Sequence, residues 1–222
     1  MSNTTRLLLV RHGETIANRE YRYIGVRDDP LSTYGQTQAT QLAEALAVLP
    51  VAAVYSSPLQ RAYQTALAIA TRHTLEVQTV DELCECSFGT WEGLSRAEVI
   101  AHSPEDAHRL SAWEHDTAIA PPEGESFEAL RQRVCTAVNR LVQLHPDQAI
   151  VLVSHVGPIK ILLCAALDAP TSSIFRIFLD PATISVVDWR DRGHMLDKSA
   201  LYSTVRLINS HAHLGWERAR WM

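Results

Sequence analysis

Apolar stretches of strand length alternate along this chain with longer stretches of helical period, and that alternation leaves few folds open. Leu7-Leu8-Leu9-Val10, "VAAVYSS" and "AIVLVSH" are near-continuous apolar runs, the pattern of strands covered on both faces in a parallel sheet. Between the first two, "TYGQTQATQLAEALAVL" carries Ala39, Leu42, Leu46 and Leu49 at helical spacing behind a capping Ser32. "PLQRAYQTALAIATRH" predicts a second helix with Pro58 in its first turn. "SFEALRQRVCTAVNRLVQL" aligns Leu130, Val134, Val138 and Leu141 on one face of a third, and "PIKILLCAAL" reads as a crossover helix. "LEVQTV", "ATISVVDW" and "YSTVRLI" supply further strands. The order predicts an α/β fold: a three-layer αβα sandwich whose mostly parallel central sheet has helices on both faces. A polar stretch at about 95–122, broken by Pro104, Pro121 and Pro122, has the composition of a small helical cap inserted into a single domain spanning 1–222.

A chain of 222 residues, 46% apolar and 20% charged, is long enough to fill one such core. Its net charge of -5 excludes a broad basic surface, and with it a nucleic-acid or anionic-membrane binder. Any anion site must therefore concentrate positive charge locally. The apolar part of the N-terminal stretch is too short for a secretory signal and no run approaches a membrane span, which predicts a cytoplasmic protein. The four cysteines fit reduced thiols; Cys84 and Cys86 form a C-x-C with no second pair at zinc spacing. The ten histidines include no H-E-x-x-H, so a zinc hydrolase is disfavoured. His211 and His213, alternating in "NSHAHL", read as polar positions on a strand surface.

The chemistry lies where strands end. The first runs into Arg11 and His12 in "VRHG", the fourth into His155 in "VSHVG", and the second delivers Arg61 into the helix that follows "YSSPL". In a parallel sheet the carboxyl ends share one rim, where ligands bind. Two guanidinium groups, two imidazoles and helix-end N–H groups brought together there suit a tetrahedral dianion.

The stretches "LLLVRHGETIAN", "DDPLSTYGQTQA", "VYSSPLQRAYQTA", "ELCECSFGTWEG", "PEGES" and "VLVSHVGPIK" together resemble the histidine phosphatase superfamily, which includes the cofactor-dependent phosphoglycerate mutases. The resemblance runs from residue 6 to about 165, and "VRLINSHAHL" resembles the family's last strand. It implies that His12 is the nucleophile that becomes phosphorylated, that Arg11, Arg61 and His155 bind the phosphoryl group, and that Glu85 is the proton donor. Asn18, Gly25, Thr15 and Val156 are expected to border the substrate, with Thr15 also suited to capping the loop. Glu85 must stay protonated near neutral pH, through burial or a neighbouring carboxylate, for which Glu14 is a candidate. Glu125 and Ser126 are candidates for the pocket wall, although "GES" is also a good helix start. Arg22, Arg27 and Trp113 are candidates for substrate contact, while Trp91 reads as core.

Val156 stands where most relatives carry glycine, and Ile24 where a glutamine is frequent; a valine there would resist a positive φ. The span from Glu85 to His155 is short for a mutase, which favours hydrolysis. The implied function is metal-independent hydrolysis of a small phosphorylated metabolite through phosphohistidine, in the manner of α-ribazole, phosphoserine or broad-specificity phosphatases, with no cofactor. The alternatives are a cofactor-dependent phosphoglycerate mutase and a catalytically silent phosphate-binding scaffold. The ending "WERARWM" is compatible with a homodimer contact.

Overall fold

The computed structural model describes residues 4–190 and 203–215. The C-terminal "WERARWM" and most of the turn "RDRGHMLDKS" lie outside the described residues. Six strands form one sheet in the order β3-β2-β4-β1-β5-β6: β1 (Thr4–Arg11), β2 (Val51–Ser56), β3 (Val77–Thr79), β4 (Ala149–Ser154), β5 (Ile184–Arg190) and β6 (Thr204–Ser210). The first four run parallel, and β5 and β6 are added antiparallel to β1 and to each other. The sheet is therefore the mostly parallel one expected, with a two-stranded antiparallel margin.

Strand periodicity divides the core between the two faces. Leu7, Leu9, Ile150 and Leu152 point into one apolar cluster with Leu130, Val134 and Val138 of α6 (Phe127–Leu144) and Ile159 and Leu163 of α7 (Val156–Ala166). Leu8, Val10, Val151 and Val153 point into the other, with Leu42 and Leu46 of α2 (Thr33–Leu46) and Ala66 and Ile69 of α3 (Gln60–His73). Each of these leucines is almost wholly withdrawn from water, which contributes about 2 kcal/mol apiece. Helices thus cover both faces, as a near-continuous apolar run requires.

Helix starts follow local chemistry. The Ser32 and Ser126 hydroxyls accept from the Gly35 and Ala129 N–H groups and cap α2 and α6. The short α1 (Ile16–Arg19) is closed by a capping box in which Thr15 and Asn18 satisfy each other's backbone. Four expectations change. Pro58 lies before the Leu59 cap of α3 rather than in its first turn, and the Asp28 carboxylate accepts from the Gln60 N–H instead. Pro104 opens a helix: after α4 (Arg96–His102), Ser103 caps α5 (Pro104–Trp113), where a missing N–H costs nothing. Helix α2 stops at Leu46, leaving Leu49 partly exposed. His211 and His213 fall after β6 and not on it, and a His213 ring nitrogen donates to the Ala182 carbonyl.

Glu98 of α4 pairs with Arg22 in the segment after β1, and Trp113 of α5 shares a cavity wall with Glu85 and Val156. Tyr23, Phe88, Trp91 and Trp113 pack together with ring centroids 5.0–6.3 Å apart, and the Trp91 indole N–H donates to Asp106 at 3.0 Å. Trp91 is core, as its sequence context suggested. Among the described residues no helix is long and apolar enough to cross a membrane.

Candidate active site

Strand register assembles the site. In the parallel β1–β4 pair Arg11 lies opposite Ser154, and in the β2–β4 pair Ser56 lies opposite Val153. The residues that follow each strand therefore emerge side by side: His12, His155 and Ser57. The two imidazoles sit with ring centroids 5.0 Å apart at 59°. A cavity of about 170 Å³ opens beside His12, lined by Arg11, His12, Asn18, Gly25, Arg61, Glu85 and Val156 among others.

The tautomer of His12 follows from its partner. Its Nδ1 lies 2.7 Å from the Gly13 carbonyl, which can only accept, so Nδ1 carries the proton and Nε2 keeps its lone pair. Burial, reinforced by the Arg61 and Arg11 charges, holds the imidazole well below the ordinary histidine range and therefore neutral. His155 is neutral for the same reasons, burial first. Its Nε2 meets the Ser57 hydroxyl at 2.9 Å, and its Nδ1 is buried without a hydrogen-bond partner among the described residues.

Arg61 enters from the first turn of α3, wholly buried. Its terminal nitrogens donate to the Arg27 and Gly25 carbonyls at 2.6 and 2.7 Å, while Nε has no hydrogen-bond partner among the described residues. The loop that folds around this guanidinium turns at Gly25, whose φ of +57° brings its α-carbon against the Glu92 carboxylate: an added Cβ would lie 2.0 Å from Oε1. Arg11 donates to the Leu179 carbonyl. Two buried nitrogens, on Arg61 in the cavity wall and on His155 whose ring lies 5.0 Å from that of His12, thus have no hydrogen-bond partner among the described residues, and an unsatisfied buried polar group is costly.

Glu85 reaches the cavity from the loop after β3. Oε1 accepts from its neighbour Cys86 N–H at 2.9 Å and from Gly157 N–H at 3.0 Å, in the first turn of α7. Burial raises its pKa above the usual carboxylate range, although both N–H groups and the two arginines pull it back. Burial, not the candidate Glu14, is the leading cause of that shift, and the Glu14 carboxylate accepts from the Ser32 hydroxyl at 3.1 Å. Val156 lies in the first turn of α7 behind His155, which has φ -125°, and adopts no positive φ, so the strain expected of a valine does not arise. The close approach falls one residue later: a Cβ on Gly157 would lie 2.4 Å from Glu85 Oε1.

Other candidates are placed differently. Thr15 does not line the cavity, because its hydroxyl accepts from the Asn18 N–H in the α1 cap. Ser126 is spent on capping α6. Glu125 accepts two hydrogen bonds at 2.7 Å from Arg133 rather than facing a ligand. Arg22 borders the cavity but is engaged by Glu20 and Glu98. Arg27 lies outside it, 3.5 Å from Asp29. Trp113 lines an adjoining cavity. Sequence reasoning missed Ser57, which orients His155, and Arg133, which donates to the carbonyls of Glu82, Cys84 and Glu85 and so fixes the loop that carries the acid. The serine was visible in "YSSP"; nothing in the spacing of α6 marked the arginine.

A profile of the histidine phosphatase superfamily (branch 1) matches residues 7–200. A bifunctional protein of Mycobacterium tuberculosis is 41% identical over 211 residues, 95% of this chain, but the chain spans only 55% of that relative's length. The adenosylcobalamin/alpha-ribazole phosphatase of Escherichia coli is 34% identical over 215 residues, covering 96% of this chain and all of that one. The solved structure of a mycobacterial glucosyl-3-phosphoglycerate phosphatase superposes with a TM-score of 0.81 at 32% identity, over 93% of this chain and 99% of the other. The paired strand-end histidines, the buried arginine and the agreement along nearly the whole described chain lead to one assignment: the chain belongs to the histidine phosphatase superfamily.

Proposed function

We propose that this chain hydrolyses small phosphomonoesters through a phosphohistidine on His12. The observation that carries the reading is the pairing of a neutral His12, its proton pinned to the Gly13 carbonyl, with buried nitrogens on Arg61 and on the adjacent His155 that no described residue satisfies. A phosphoryl group would satisfy them. His12 Nε2 attacks phosphorus in line, forming the N–P bond as the P–O ester bond breaks. Arg11, Arg61 and His155 stabilise charge on the equatorial oxygens, with Ser57 donating to His155 Nε2 so that Nδ1–H faces the phosphoryl group. Asn18, Gly25 and Val156 border the bound group, and the α7 N-terminus adds its dipole.

Glu85 gives its proton to the leaving alkoxide, then takes one from the water that attacks phosphohistidine and releases inorganic phosphate. Its raised pKa fits the first of these roles and the Gly157 and Cys86 N–H groups the second, since they stabilise the carboxylate. The reading needs no metal.

The test is phosphate release from a panel of phosphomonoesters with chelator present. His12→Ala should reduce turnover by at least about 10³-fold, and acid quenching of wild type should trap an acid-labile phosphoryl group absent from the variant. Release at wild-type level from His12→Ala would overturn the assignment. Interconversion of phosphoglycerates without release would instead establish a mutase.

A further inference from the structure

The catalytic cavity continues into a second one of quite different character. It has a volume of about 290 Å³ and shares Glu85, Phe88 and Val156 with the first. Trp113, Phe127, Ile174 and Phe175 form most of the rest. The rings make one continuous wall. Tyr23, beside the catalytic cavity, packs on Phe88 at 5.0 Å, Phe88 on Trp113 at 5.8 Å, Trp113 on Phe127 at 5.1 Å, and Phe127 on Phe175 at 5.7 Å.

Three charged residues border this wall and two are already spent. Glu85 is held by backbone N–H groups, and Glu114 takes both ends of the Arg96 guanidinium at 2.6 and 2.9 Å. Lys160 is the third. It lies four residues, about one helical turn, beyond Val156 on α7, partly buried, and its ammonium makes no hydrogen bond or ion pair with any described residue. An apolar pocket with one unspent cation beside a phosphoryl site sets the chemistry of what fits it.

We propose that this second cavity seats the alcohol half of the substrate, and that this half carries an aromatic ring bearing an acidic or carbonyl group that meets Lys160. The inference rests on the phosphatase reading above. A ring gains edge and offset-stacked contacts against Trp113, Phe127 and Phe175. A bare sugar, glycerol or serine would lose hydrogen bonds to water and find only the Lys160 ammonium and the Trp113 indole N–H in return. The volume agrees, since an apolar cavity of roughly 150 Å³ already holds benzene, leaving room here for substituents.

Three alkyl phosphates separate the possibilities, all with leaving groups that need a proton: 4-carboxybenzyl phosphate, benzyl phosphate and glycerol 3-phosphate. Wild-type kcat/KM should fall in that order, by about tenfold at each step. Lys160→Met should lower the ratio of carboxybenzyl to benzyl phosphate about tenfold, chiefly through KM. Phe175→Ala, at a partly exposed position, should lower the ratio of benzyl to glycerol phosphate. Glycerol 3-phosphate as the best of the three, or ratios unchanged in both variants, would overturn the inference while leaving the phosphatase reading intact. Silence on all three, with nitrophenyl phosphate also inert, would remove the reading on which it rests.

Discussion

Glu85 is pulled in opposite directions by its surroundings, and its protonation decides whether an alkoxide can leave. Burial raises its pKa and outweighs the Arg61 and Arg11 charges; His12, lowered by burial, stays neutral into mildly acid solution. Activity on alkyl phosphates should therefore fall on the alkaline side as Glu85 loses its proton, above the usual carboxylate range, and on the acid side only well below pH 6.5, as His12 gains one. Glu85→Gln should abolish the alkaline limb and slow alkyl substrates by about 10²–10⁴-fold, with a much smaller loss on nitrophenyl phosphate, whose phenolate leaves unaided. A pH–rate profile with both substrates checks this; equal losses would point to another acid. Gly157 is a positioning residue for the same carboxyl. With a Cβ 2.4 Å from Oε1, Gly157→Ala must displace it, which should cost about 10²-fold in kcat on alkyl phosphates and little on nitrophenyl phosphate.

At the level of elements, the acid depends on an α6 side chain that lies outside the catalytic cavity. Arg133 of α6 donates to three carbonyls of the Glu85 loop, those of Glu82, Cys84 and Glu85, and Glu125 holds the guanidinium in place. Arg133→Met leaves those carbonyls and the Glu125 carboxylate without donors. It should destabilise the fold by about 1–3 kcal/mol in denaturant titration and lower kcat on alkyl phosphates. Unchanged stability together with unchanged kcat would mean the loop holds itself. The helices themselves were legible from their caps and apolar stripes, because Ser32 and Ser126 act on backbone only three residues away. The start of α3 was not, because its cap, Asp28, comes from a different loop.

For the whole molecule, the buried site ties stability to pH and to ligand. His12 and His155 have folded-state pKa values well below the unfolded value near 6.5. Below that pH the unfolded chain binds more protons than the native one, so stability is lost as pH falls through about 6.5 and downward. Glu85 works the other way: the native state keeps a proton that the unfolded chain releases above about pH 4.5, so its contribution is favourable below that pH and lost above it. Two histidines against one carboxyl should make the melting temperature fall from pH 7 to pH 5. Phosphate should raise it, by the equivalent of about 2.7 kcal/mol at a hundredfold excess over Kd, and the gain should shrink in His12→Ala. Scanning calorimetry with and without phosphate tests both; a melting temperature rising toward pH 5 would contradict the neutral histidines.

The sequence by itself determined the alternation of strand and helix, the αβα layering and the arrival of Arg11, His12 and His155 at strand ends. These depend on residue period and on burial, which act over a few positions at a time. Only the tertiary structure decided how the ends meet. Strand register set His12 beside His155 and Ser57, and packing of α7 against the Glu85 loop chose burial over Glu14 as the leading cause of the raised pKa. The packing of α5 placed Trp113 in an aromatic wall beside Lys160. Contacts between residues far apart in the chain leave no periodic mark, so they are settled where elements pack and not where they form.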